Sequence, residues 1–410
     1  MTETPTSESS APAMSLASRE LPDFSLMLGG PLYQFWRKTR LSGDALELLH
    51  RRATVLVLLT WLPLLLLSMV EGHAWSRSTG ELTFLRDLEM HARLLIALPL
   101  LLAAELVVHR WTYAGIRQFV DNQLIPDSAK QRFDDAIAST LRLRNSVGVE
   151  VTMLVLVYVV GIAFLSQVHF KVELDSWYGA KGADGDFSIS LAGGWAALVS
   201  LPIFQFLSLR WFYRIFIWAR LLFKLSRIDL NLMPTHPDRC GGIGFLSTIS
   251  QGFAPIMLAQ STLVSGMIAD RIFFEGAHLT DFTMEIFGLL GLLWIAMFGP
   301  MFFFMPLMAR AKLLGLQQYG TLADRYVRSF NVKWLEGRLP PDEPLLGNPD
   351  FSGLADLGAG FEVVRSMRWV PITWRSLGQL IGITLLPIAP LMLTMFPLNE
   401  LLKRLLGVLF

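Results

Sequence analysis

Long uninterrupted runs of apolar residues dominate this chain, and their lengths match the thickness of a lipid bilayer. Seven runs are long and apolar enough to cross a membrane as helices. They fall near residues 53–70, 92–108, 147–168, 189–209, 245–269, 284–308 and 378–396. The polar connections show helical periodicity. The pattern therefore predicts an all-α fold, a polytopic transmembrane helical bundle of about seven spans with cytoplasmic amphipathic helices.

The distribution of lysine and arginine orients these predicted spans. Of the 35 Lys and Arg residues, 27 lie in the N-terminal segment and in the connections after the second, fourth and sixth spans. Because positively charged connections stay in the cytoplasm, the N-terminus is predicted to be cytoplasmic and the C-terminus external.

Composition along the chain divides it into five predicted regions. Residues 1–20 are rich in Ser, Thr, Ala and Pro, which indicates a disordered tail. Residues 21–52 are predicted to be a cytoplasmic or interfacial segment, largely a helix on the membrane surface. The remainder is predicted as a six-span bundle (53–309, with cytoplasmic helical connections 110–146 and 210–244), a cytoplasmic helical segment (310–377), and the seventh span with a short external C-terminus (378–410).

The overall composition agrees with a membrane location and excludes several other classes. Hydrophobic residues make up 53% of the chain and charged residues only 17%. A net charge of +1 argues against a nucleic-acid partner, which would require a basic surface. The single cysteine, Cys240, excludes an intrachain disulfide framework. The first fifty residues show no cleaved-leader pattern, so the first span is expected to target the chain.

The segment 235–245 carries the densest group of candidate binding residues. Gly241 and Gly242 open the fifth span beside Arg239, and exposed N–H groups at a helix start favour an anion. His236 and Asp238 complete the predicted anion or substrate site. Two other interpretations stay open: a structural turn in which Asp238 pairs with a neighbour, and a metal site formed with Cys240, although that spacing matches no recognised zinc motif. The chain shows no recognisable catalytic arrangement and indicates no particular cofactor.

Two carboxylates fall inside predicted spans near their cytoplasmic ends. Glu105 lies in the second span and Glu150 at the start of the third. Ionisable groups in lipid are costly, so they mark a functional site, and their expected partners are Arg144 and Arg239. The alternative is an ion-pair cluster that only fixes the register of the helices.

Small and polar residues share one face of the fifth span. They are Thr248, Gln251, Gly252, Pro255, Ala259, Thr262, Gly266, Ala269 and Asp270. Such a face either packs closely against another helix or lines a wet cavity. In the preceding connection, a basic face that includes Arg210 and Arg214 predicts contact with anionic lipid headgroups.

Two segments resemble a group of uncharacterised bacterial polytopic inner-membrane proteins. The matching residues are His236-Pro237-Asp238-Arg239, Gly241-Gly242, Gly244-Phe245-Leu246, then Leu354-Ala355-Asp356-Leu357-Gly358, Phe361-Glu362-Val363-Val364-Arg365 and Met367-Arg368. The resemblance implies a bacterial inner-membrane location. It also implies that the Arg239 segment and the Glu362/Arg365 segment contribute to one cytoplasmic site.

These observations favour a transporter or channel for a small solute or ion, with a polar site that faces the cytoplasm. In that interpretation Arg239 and the glycine N–H groups bind the anionic part, while Glu105 and Glu150 tune the charge or accept a proton. The alternatives are a signalling protein whose cytoplasmic helices bind a partner or lipids, and a membrane enzyme acting on lipid-linked phosphates. The sequence leaves a homo-oligomer open.

Overall fold

A computed structural model describes residues 24–38, 49–75, 82–168, 176–181, 187–336, 343–344 and 346–395. The helices of this part are α1 (Pro31–Lys38), α2 (Leu49–Val70), α3 (Leu88–Asp121), α4 (Lys130–Arg144), α5 (Val147–Val168), α6 (Leu191–Leu225), α7 (Phe245–Phe274), α8 (Leu279–Leu335), α9 (Pro349–Arg365) and α10 (Trp374–Leu385). A short antiparallel pair, β1 (Gly179–Lys181) and β2 (Phe187–Ile189), precedes α6, with Gly179 opposite Ile189. The fold is all-α, as predicted.

Five helices are long and apolar enough to cross a membrane: α2, α3, α6, α7 and α8. Two bent pairs raise the number to seven if each is one span. The first joins the α4 region to α5 at 41°, and the second joins α10 to the 3₁₀ segment Ala389–Met395 at 58°. α3 has 34 residues and α6 has 35, so each is about 50 Å long and exceeds the bilayer core. Both therefore continue from a span into a polar connection without a break.

In both α3 and α6, a π-helical segment precedes a proline. In α3 the segment Ala92–Ala97 is π-helical and precedes Pro99, and in α6 the segment Ala196–Ser200 precedes Pro202. The N–H of Leu98 accordingly donates to the carbonyl of Arg93, five residues back. A proline donates no hydrogen bond and its ring clashes with the carbonyl four residues earlier. The wider turn accommodates the proline, and both helices continue.

The small-residue face of α7 packs against α3. A Cβ atom at Gly252 would lie 2.7 Å from the Trp111 side chain, and one at Gly266 would lie 2.8 Å from Ala92. Only glycine allows helices to approach so closely at these positions. Of the two interpretations of this face, the contacts at Gly252 and Gly266 favour close packing.

A second face of α7 supports the break after α10. The Ser265 hydroxyl donates to the carbonyl of Pro387 at 2.6 Å, and the Ser261 hydroxyl donates to the carbonyl of Thr384. The irregular turn around Pro387 leaves these carbonyls without helical donors, and membrane helices need every such group satisfied. The two serines thus stabilise the bend at the seventh predicted span.

The segment before the first span differs from its prediction. A surface helix was expected over most of residues 21–52, but residues 24–30 are non-helical and lie inside the bundle. Phe24, Leu26 and Met27 are almost completely buried, so this segment packs as core rather than at an interface. Among the described residues before α2 (24–38), Pro31–Lys38 is the one helical stretch. The predicted disordered tail, 1–20, and the end of the C-terminal region, 396–410, lie outside the described residues.

Candidate functional site

Charged side chains from four helices meet in the interior of the bundle. We call the group of Arg52 (α2), Glu105 (α3), Glu150 (α5), Arg210 and Arg214 (both α6) the Glu105 cluster. Glu105 Oε2 lies 2.7 Å from Arg52 Nη2, and Glu105 Oε1 accepts a hydrogen bond of 2.7 Å from Arg210 Nη1. Glu105 is only 4% exposed. One carboxylate therefore joins α2, α3 and α6.

Glu150 extends the cluster toward the N-terminal segment. Its Oε1 lies 3.5 Å from Arg210 Nε, and its Oε2 accepts a hydrogen bond of 2.9 Å from the backbone N–H of Leu32. Arg210 thus bridges the two carboxylates. The N–H of Leu32 is free to donate because the first turn of a helix lacks internal acceptors, and α1 begins at Pro31.

Arg214 lies one helical turn beyond Arg210 and has a different environment. It is 3% exposed, and its Nη1 contacts the thioether sulfur of Met27. Within the described part of the chain, Arg214 forms no ion pair with a carboxylate. Arg144, at the end of α4, also has no carboxylate partner within the described residues. It donates hydrogen bonds to the backbone carbonyl of Ser25 and to the side chain of Asn145.

Residues 24–30, which we call the N-terminal loop, cover these two arginines. The Ser25 hydroxyl accepts hydrogen bonds from the N–H groups of Met27 (3.0 Å) and Leu28 (2.8 Å), which fold the loop on itself. The same hydroxyl lies 2.9 Å from Nδ1 of His109 on α3. Gly30 then has a φ of +89°, a conformation that L-residues rarely adopt. The loop enters and leaves the bundle interior within a few residues.

The predicted anion site at 235–245, which we call the Asp238 loop, uses its donors internally. Asp238 accepts backbone hydrogen bonds from Cys240 (2.7 Å), Gly242 (3.1 Å) and Gly244 (2.9 Å). His236 Nδ1 lies 2.9 Å from Asp238 Oδ1. The contacts match the structural-turn interpretation, in which Asp238 pairs with neighbouring groups. Anion binding there stays a prediction, and it would require the anion to replace the Asp238 carboxylate.

Cys240 belongs to this loop, and its buried thiol has low reactivity. Burial, together with the nearby charge of Asp238, raises the pKa of the Cys240 thiol to about 11. Across the described residues, no group of three or more His, Cys, Asp and Glu side chains is arranged to hold a metal ion.

Arg239 does not pair with either of the carboxylates that it was expected to contact, within the described part of the chain. Its side chain is exposed, its φ is +55°, and its backbone carbonyl accepts a hydrogen bond of 2.7 Å from the N–H of Arg368. The structure thereby brings together the two segments that carry the resemblance. Glu362 and Arg365, however, are exposed and pair with each other at 3.2 Å.

The predicted lining residues of α7 do not share one cavity. Thr248 is exposed, and the Thr262 hydroxyl donates to the carbonyl of Leu258 in its own helix at 2.8 Å. Gln251 faces α10, where it donates to Ser376 at 3.3 Å and contacts Gln379. This glutamine borders an open, mostly apolar groove of about 450 Å³ between α7 and α10. Gly252 packs against α3, as described above.

Glu105 and Glu150 were predicted as site residues, but their partners differ from those predicted. Arg52 and Arg210 pair with Glu105 in place of the expected Arg144 and Arg239. Arg210 and Arg214 were expected to face lipid headgroups, but both are buried because α6 continues past its span and packs against α3, α4 and α5.

No family model, curated protein or solved structure matches this chain.

Proposed function

We propose that this chain is a multi-pass transport protein of the bacterial inner membrane, with its N-terminus in the cytoplasm. It would move a small ion or solute through a site at the Glu105 cluster. The membrane-spanning character of the helices supports the membrane location. The distribution of Lys and Arg supports the orientation, and with it a position of the cluster toward the cytoplasmic side.

The burial of ionisable groups among spanning helices carries this proposal. Moving a charged side chain out of water costs several kcal/mol, and a buried ion pair rarely repays that cost in stability. Apolar residues of similar volume would stabilise the same helix contacts at least as well. Charged residues inside membrane bundles are therefore functional candidates by default, and they mark the paths of ions, protons or polar solutes.

The arrangement of partners supports movement rather than a single fixed state. Arg210 lies between Glu105 (2.7 Å) and Glu150 (3.5 Å), so a small rotation of α6 would exchange its stronger partner. The π-helical segments of α3 and α6 precede prolines on the helices that carry Glu105 and Arg210. Such segments are frequent at functional sites and provide places where a helix bends.

Charge movement in proteoliposomes tests this function. The full chain is reconstituted and adsorbed to a solid-supported membrane, and the current is recorded after jumps in sodium phosphate, sodium succinate or pH. We expect a current that is lost in Arg210→Gln and reduced at least tenfold in Glu150→Gln. Glu362→Gln is the control, because that carboxylate is exposed and remote from the cluster. Full currents in both folded cluster variants would refute the proposal.

A partner-binding role is a second candidate, supported by the cytoplasmic end of α8. Leu335, the last residue of α8, is 75% exposed, and Leu346, in the connection to α9, is 88% exposed; exposed apolar side chains are common at partner-binding surfaces. In that case a cellular phenotype would be lost in Leu335→Ser or Leu346→Ser, or on changing Arg365 and Arg368. The same phenotype would survive Glu105→Gln and Glu150→Gln.

A further inference from the structure

We propose that Arg214 and Arg144 form a binding site for an oxyanion, a carboxylate or phosphate group, whose place the N-terminal loop takes in this structure. The inference rests on the proposed function insofar as it names the class of solute that the site would accept. It concerns the two arginines that the ion pairs of the Glu105 cluster leave without a carboxylate.

These two guanidinium groups are poorly matched by their present partners. A guanidinium offers five N–H donors in a planar fork that fits two oxygens of one carboxylate or phosphate. Arg214 is only 3% exposed, and yet its guanidinium contacts a thioether sulfur, which is a weak acceptor. Arg144 is given a backbone carbonyl and an amide oxygen. Neither set supplies a negative charge, either to the buried Arg214 or to the partly buried Arg144.

The neighbouring carboxylates are already engaged by other groups. Glu105 is held by Arg52 and Arg210, and Glu150 by Arg210 and the N–H of Leu32. Their negative charge is therefore compensated, and an arriving oxyanion meets the arginines with little repulsion.

The N-terminal loop lies in direct contact with the charged groups of the site. At Gly29, an added Cβ would lie 2.5 Å from Arg144 Cζ, and at Gly30 it would lie 2.9 Å from Glu150 Oε1. The loop thus brings bare backbone against the charged groups, as a small ligand would. Because its own polar groups bind the arginines weakly, an oxyanion with bidentate geometry has an advantage over it.

Labelling of a loop cysteine tests the exchange directly. In Leu26→Cys the new thiol is buried with the loop, and the native Cys240 contributes little background because it is buried. The full chain in detergent is treated with a maleimide while inorganic phosphate or succinate is titrated. We expect either anion to raise the labelling rate of Leu26→Cys severalfold, and to have no effect once Arg214→Gln is added. Sodium chloride at equal ionic strength is the control.

Binding measurements on glycine variants supply an independent readout. Gly30→Ala strains the loop at φ +89° and crowds Glu150, whereas Gly72→Ala meets the same type of strain at φ +78° with open space around it. Because a competing occupant lowers apparent affinity, Gly30→Ala should bind radiolabelled phosphate about tenfold more tightly than wild type. Gly72→Ala should bind like wild type, and Arg144→Gln should bind at least about tenfold more weakly.

The source of the oxyanion is decided by repeating the labelling in nanodiscs. An increase with phosphatidylglycerol, but with neither free anion, would assign the site to a lipid headgroup. No increase with phosphate, succinate or phosphatidylglycerol, in chain that remains folded, would overturn the proposal. Phosphate binding without any current would leave the oxyanion site standing and remove the transport function. Currents in Arg214→Gln equal to those of wild type would do the reverse.

Discussion

The Asp238 loop and the Glu105 cluster both surround a carboxylate with donors, yet they use it differently. In the loop, three of the donors are neutral N–H groups at most six residues from Asp238. In the cluster, the donors are charged and come from α2 and α6, far apart in the chain. The N–H groups of the loop donate to Asp238 within the loop, so few donors remain for a ligand. The cluster leaves Arg214, and Arg144 beside it, without a carboxylate among the described residues, and this excess of positive charge is what points to a solute.

The largest expected effect is at the centre of the cluster. Glu105→Gln removes the carboxylate that Arg52 and Arg210 share inside the bundle. Removing one partner of a buried ion pair costs about 3–5 kcal/mol because the remaining charge is not compensated. We expect the free energy of unfolding, measured by SDS titration in mixed micelles, to fall by about that amount.

Glu362→Gln is the matched control for this measurement. Its ion pair with Arg365 is 3.2 Å long but exposed, so its loss should change the free energy of unfolding by less than about 1 kcal/mol. If Glu105→Gln were as mild as Glu362→Gln, the cluster would not be a buried network, and the contrast with the Asp238 loop would disappear.

Asp238→Ala tests the other side of the comparison. It strips the acceptor from the N–H groups of Cys240, Gly242 and Gly244. Leaving partly buried donors unmatched costs about 1–3 kcal/mol. We expect a loss of that size in unfolding experiments, with phosphate binding at Arg214 unchanged. Tighter phosphate binding in Asp238→Ala, with binding retained in Arg214→Gln, would move the anion site back to the loop.

Several parts of the architecture were readable from the sequence for clear physical reasons. Apolar run length predicted the spanning helices, because a bilayer requires about twenty apolar residues per helix. The sequence places Pro387 and Pro390 at the break after α10, where each proline removes a helical hydrogen bond. Glu105 and Glu150 were identified as site candidates because charge inside a span is costly.

The partners of those carboxylates were not readable, because they depend on packing between distant helices. Arg210 was assigned to a lipid-facing surface, since a basic stripe near a membrane ordinarily meets headgroups. The structure buries it because α6 continues as one helix and faces α3. The N-terminal loop had one usable signal, Gly29-Gly30-Pro31, which is a turn signature that was read as part of a surface helix.

An intermediate loss in the free energy of unfolding is expected where α7 closely contacts α3. In Gly266→Val, the new side chain begins 2.8 Å from Ala92 and 3.1 Å from the backbone of Glu89, so the helices must separate. Overpacking of this kind costs about 1–3 kcal/mol. Gly288→Val, at a helical glycine with open space around it, is the control in the same unfolding measurement. Equal effects of the two variants would show that the α7 face does not depend on close approach.

The smallest effect expected near neutral pH concerns Cys240. Its pKa of about 11 in the folded chain lies above the ordinary thiol value, so the folded state holds the proton more tightly than the unfolded state. The resulting contribution is fully present below about pH 9 and is lost as the pH rises through about 11. At pH 8 the thiolate fraction is lower than that of a free cysteine by about two orders of magnitude, and alkylation should slow accordingly.

Asp238→Ala should speed alkylation, because the N–H of Cys240 loses its acceptor and the loop opens above the thiol. Faster alkylation that leaves phosphate binding intact would separate the chemistry of the Asp238 loop from that of the Glu105 cluster. Wild-type alkylation as fast as that of a free cysteine would mean that the loop does not seal the thiol, and the loop would then be open to a ligand after all.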